Sequence, residues 1–382
     1  MTHCINHNLE LALLDLRKEE PYLDIFEKTL KGVFSFYHYS PKRIRELEVV
    51  AAELDDELSH FGGIQQIRWV ASQQRALRAL HNNYGPTCSH LENIATTSNK
   101  TDAAKASGLL KRLKSPKFLT FLLFMLDFTE VIGQLSLAFQ ANDLLVVDVL
   151  PRLENVILAL TDMKTSPGEF VSALTTGQHY KKVTLSGEVT PSLDQIHIDL
   201  LDSAIDFIDS RFSGLQTPPL SDFSVFNFIF WPYDLKELAT FGKEKLQRLV
   251  AQFSPLLSEE EINAIPKEWL AFKMHVRNLR TSDPKLVFRD LLRLPPNNFI
   301  HILPLIEMML TLSMSTAIVE RGFSHMNNIK DSTRTLLGNN NLNNLLEVKI
   351  NGPSLEDFAP EAAILHWMDK GKGTRHVNGH RH

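Results

Sequence analysis

Apolar residues recur at three- and four-residue steps through nearly the whole of this chain, and that periodicity restricts it to a mainly α fold. The spacing and the proline, glycine and serine punctuation predict helices over 6–17, 21–37, 41–58, 102–113, 116–140, 142–163, 191–212, 236–253, 258–280, 284–292, 297–312 and 342–350. Pro151 is expected to kink the helix over 142–163 or to end it early, and Ser258 with Glu261 forms the pattern of a capping box. Only 64–70, behind Gly62-Gly63, reads as a strand. The segment 167–190 carries Gly168, Gly177 and Gly187 and a short alternating run from Lys182, so it reads as a loop with a hairpin. A proline-rich link over 215–230 ends in Trp231-Pro232, and 371–382 has no apolar anchor and is expected to be disordered. The apolar runs 118–128 and 300–314 fall short of the roughly 20 residues that span a bilayer, so they read as buried helices and no membrane partner is expected.

With 382 residues, 43% hydrophobic content and 23 Phe, the chain can build a substantial core spread over two or three domains. A net charge of −5 and a pI near 6.3 exclude a surface built throughout to coat nucleic acid. DNA contact is then confined to local basic patches: Lys42, Arg43 and Arg45; Arg75 and Arg78; Lys111, Arg112, Lys114 and Lys117. Such clusters are also what solvated helix faces look like. Two cysteines, Cys4 and Cys88, without a signal peptide point to a reducing compartment, nucleus or cytosol.

Near the C-terminus, 315–337 reads as a single helix. Val319, Phe323, Met326, Lys330, Thr333 and Leu337 share one face, with Glu320 beside its start. The serine-rich lead, Glu320-Arg321, the small residue and Phe323-Ser324 resemble the signature that opens the dimerisation region of hAT transposases. Cys4 and His7 resemble that family's Cys-x-x-His motif, and Arg68-Trp69 resembles the motif that ends its last core strand, before an all-helical insertion. Phe-rich linkers ending in Trp-Pro occur in vertebrate zinc-finger proteins that carry a hAT-derived body. The resemblance implies a large helical insertion domain (73–295) attached to a truncated RNase H-like core of few strands (1–72). A dimerisation region (296–370) and the tail would follow.

The resemblance makes Glu320 the counterpart of a catalytic glutamate. Enzymes of the family hold divalent metal with two aspartates as well, and these would lie upstream of Met1. One glutamate cannot clamp two ions, so the expectation is a non-catalytic, transposase-derived protein with no cofactor, acting through dimerisation in the nucleus. The alternative is a transposase or nuclease fragment that uses Mg or Mn once another polypeptide supplies the aspartates. A homodimer is expected through Phe323, Leu342, Leu345, Leu346 and Val348, and no small-molecule substrate. Two further sites have competing readings. Cys4, His7, Cys88 and His90 supply four nominal zinc ligands, against a Cys and His buried to seat a core helix. Trp69 suits stacking on an unpaired base, against packing at the end of a strand.

Overall fold

The structure is a computed structural model that describes residues 4–59, 69–279, 281, 283–293, 298–331, 333–334, 336–354 and 356–370. The chain divides into two compact units, 1–315 and 316–382, so the segments expected as separate domains over 1–72 and 73–295 lie in one unit. It is mainly α. The first unit holds α1 (Ile5–Glu19), α2 (Pro21–His38), α3 (Pro41–Glu53), α4 (Trp69–Asn82), α5 (Tyr84–Thr97), α6 (Lys100–Leu113), α7 (Pro116–Phe139), α8 (Val146–Asp162) and the short α9 (Glu169–Ser172). A hairpin follows, β1 (Gly177–Tyr180) and β2 (Val183–Val189), then α10 (Gln195–Phe212), α11 (Leu235–Thr240), α12 (Lys243–Phe253), α13 (Glu259–Asn278), α14 (Pro284–Leu291) and α15 (Leu303–Thr311). The second unit holds α16 (Ala317–Ile329), α17 (Asn339–Asn351) and α18 (Pro360–Lys370).

The core of the first unit forms around α7, whose apolar residues cover nearly its whole circumference and leave only Lys117, Gln134 and Leu137 exposed. It packs against α4, α8, α9 and β2, and lines Phe121, Phe124 and Phe128 along its length. By length and composition alone α7 could cross a bilayer, yet 78% of its most apolar window is buried inside the protein. The chain also closes over distance, since α1 packs along α10 and Arg211 of α10 pairs with Asp15 of α1.

The segment expected as a link over 215–230 is instead a second centre of the core. It winds through 3-10 turns that bury Phe223, Phe226 and Phe228. Around them stand Trp231, Trp269, Phe272 and Phe288, in aromatic pairs with ring centroids about 5–6 Å apart. Each buried indole finds an acceptor, Trp231 in the carbonyl of Val225 and Trp269 in that of Phe241.

Several expected elements change in extent for local reasons. The helix over 41–58 ends at Glu53, and that over 142–163 begins at Val146 and carries Pro151 inside it. The helix over 236–253 is broken at Gly242, where φ is +73° and a side chain would crowd Trp269 and Val225. Of the expected strand, 64–68 lie outside the described residues, while Trp69 and Val70 open α4. The tail over 371–382 also lies outside them. The hairpin expected within 167–190 is present, antiparallel, with Tyr180 opposite Val183 and an irregularity between Gly177 and His179.

Candidate functional site

The residues that resemble the hAT signature sit on α16, and this helix is shorter than its sequence suggests. It stops at Ile329 rather than continuing to Leu337, and Asp331 then accepts hydrogen bonds from the backbone N–H and the hydroxyl of Thr333. That side-chain turn offers the backbone an alternative to helix. Glu320 lies exposed in the first turn, where its carboxylate accepts from the Thr316 hydroxyl at 3.0 Å, and Arg321 and Ser324 are exposed beside it. Among the described residues no group of three or more His, Cys, Asp or Glu is arranged to hold a metal ion. The donor set around Glu320 therefore does not fit a two-metal centre, which needs several carboxylates on both ions.

The four nominal zinc ligands are not brought together as a set. Cys4 is half-buried at the start of α1 and His7 is exposed, which corrects the picture of a buried Cys–His pair seating that helix. The buried pair is Cys88 and His90 on α5. Burial pushes the Cys88 thiol up to about 12, so it is a packing group rather than a nucleophile. His90 Nδ1 lies 3.1 Å from the Tyr37 hydroxyl, and burial lowers the imidazole pKa against the opposing pull of Glu46. Arg68 lies outside the described residues, as does the side chain of Trp69.

Each basic cluster has at least one member in an ion pair: Lys42 with Glu46 and Arg43 with Asp102, Arg78 with Glu130, Lys114 with Glu92. The expected dimerisation residues separate into two kinds. Leu342 is buried and Leu346 half-buried, whereas Phe323, Leu345 and Val348 are exposed. Val319 of α16 and Ile364, Leu365, Trp367 and Met368 of α18 are likewise each more than half exposed. The α18 residues fall within the dimerisation region expected over 296–370 but are not among the residues expected to form the dimer. A scan of the chain against protein-family models finds no match.

Proposed function

We propose that this chain is a non-catalytic assembly protein whose second unit joins it to a second copy of itself, in keeping with its resemblance to hAT-derived proteins. One observation carries the reading. Among the described residues of that unit only Ala317 and Leu342 are buried, while Val319, Phe323, Val348 and Trp367 are each more than half exposed. Three helices with so little interior cannot offset the entropy of ordering themselves, and an apolar surface of that extent is stabilised by burial in a partner. A second copy is the default occupant, because the same patch on each protomer closes the assembly symmetrically. In this reading Glu320 performs no catalytic step, the protein works in the nucleus, and DNA contact is confined to local basic patches.

Light scattering at micromolar concentration tests it. The expected result is a dimer that becomes a monomer of unchanged helicity in Leu345→Asp/Val348→Asp, both of which lie at exposed positions. A wild-type monomer overturns the assembly. Magnesium- or manganese-dependent DNA strand cleavage that vanishes in Glu320→Gln overturns the non-catalytic reading.

A further inference from the structure

Two of the basic clusters, far apart in sequence, contribute to one concavity. Arg43 at the start of α3 and Arg112 near the end of α6 line a cleft of about 490 Å³ between α2 and α6, together with Lys28 of α2 and Lys105 of α6. Its remaining lining is Gly32, Ser35, Phe36, Ala104, Gly108 and Leu109, with no carboxylate among them. In a chain of net charge −5, four cations without an acid is a strong local reversal. Asp24 and Asp102 stand behind the lining, against Lys28 at 2.6 Å and Arg43 at 2.7 Å. Four cations less these two carboxylates leaves two positive charges.

The cleft is also shaped before any ligand arrives. Arg43 is held by Asp102, by a hydrogen bond to the carbonyl of Phe36 at 3.1 Å, and by stacking 4.0 Å above the Phe36 ring. A guanidinium carries five N–H donors in a fixed fork, so these contacts fix its plane and leave donors for an oxygen ligand. Arg112 is steadied by the Thr29 hydroxyl at 3.2 Å. The two glycines keep the space open: a β-carbon on Gly32 would lie 3.0 Å from Leu109, and one on Gly108 would meet nothing within 4 Å. The volume lies within the range of small-ligand pockets. Cations reach it from three helices around a concavity, rather than in a stripe along a surface, and that favours a compact polyanion over an extended strand.

We propose that this cleft binds a small ligand bearing a di- or triphosphate group. The guanidiniums of Arg43 and Arg112 would grip phosphate oxygens, and Lys28 and Lys105 would neutralise the remaining charge.

Isothermal titration calorimetry of the full chain with inorganic tripolyphosphate and with ATP, at about 0.15 M salt, tests the assignment. Binding with a dissociation constant below about 1 mM is expected. It should weaken about tenfold in Lys105→Ala, the scale of one charge-assisted hydrogen bond. It should also weaken in Gly108→Leu, which fills the cleft without changing charge and raises helix propensity, so that loss of fold is not its cause. Lys349→Ala, in the other unit, should leave binding unchanged. No binding of either probe, or binding indifferent to Gly108→Leu, overturns the proposal. So does tighter binding of a short single-stranded oligonucleotide that is lost in the same two variants, because the cleft would then belong to a nucleic-acid strand.

Discussion

The ammonium of Lys273 is sealed inside the first unit, where it donates to the carbonyls of Leu238, Ala239 and Phe241 at the end of α11. Those carbonyls have no partner within their own helix, so a lysine stem from α13 serves as the cap. Burial pushes the pKa of this lysine down to about 8 from 10.5. Between those values the unfolded chain holds more protons than the folded one, so this group makes stability rise as pH rises through that window. Lys273→Met keeps the volume but takes the donor from the carbonyls of Leu238 and Ala239, while that of Phe241 keeps the Trp269 indole. We expect a loss of about 1–3 kcal/mol at neutral pH and a flatter stability profile above pH 8, both read from urea midpoints. A second tight point joins Asp127 of α7 to Gly168. The carboxylate accepts from the N–H groups of Phe170 at 2.9 Å and Val171 at 3.1 Å, and a β-carbon at Gly168 would fall 2.3 Å from it. Gly168→Ala should cost about 1–3 kcal/mol, and the cost should shrink in an Asp127→Ala background, where the space is free. Neither contact was legible in the sequence. Gly168 reads there as one glycine of a loop, and its neighbour Asp127 lies about forty residues earlier on an apolar helix where nothing in the spacing hints at a partner.

The helices were the legible part of this molecule, because a buried stripe imposes its period on the sequence whatever the stripe packs against. α2, α6, α7 and α14 keep the positions their spacing predicts, and Ser258 with Glu261 forms the predicted capping box at α13. What failed was the reading of interruptions. Asp331 and Thr333 follow the end of α16 with side-chain hydrogen bonds, a signal present in the residue types but hidden by the apolar stripe that runs past it. The hairpin shows how an element can hold an unfavourable turn. Lys181 and Lys182 have φ of +44° and +64°, where Asn and Gly are the usual occupants. Their ammonium groups compensate by reaching the carbonyls of His81 and Leu54, at the C-terminal ends of α4 and α3, where helix dipoles favour cations. Lys182→Ala loses that contact and keeps the strain, whereas Lys182→Gly loses the contact and removes it. We therefore expect the Gly variant to exceed the Ala variant by about 1 kcal/mol in thermal or chemical denaturation.

At the scale of the whole chain, the two units differ in how they are stabilised. The first is closed around α7 and the aromatic centre at Trp269, and the second is mostly surface. Scanning calorimetry should therefore separate them: Leu345→Asp/Val348→Asp should leave the main transition in place, while Leu122→Ala, at a fully buried position of α7, should lower it by about 2–5 kcal/mol of stability. The phosphate-binding cleft was illegible for a reason of the same scale. Arg43 and Arg112 each look like solvated helix surface until α2, α3 and α6 are placed together, and Lys28 and Lys105 stand in no cluster at all. The closure of α1 against α10 has a consequence during synthesis. Asp15 and Arg211 are 196 positions apart, and at about 5–20 residues per second a ribosome delivers the second of them roughly 10–40 s after the first. Throughout that interval the apolar face of α1 has left the exit tunnel without the helix that covers it, which makes this nascent segment a natural client for holdase chaperones.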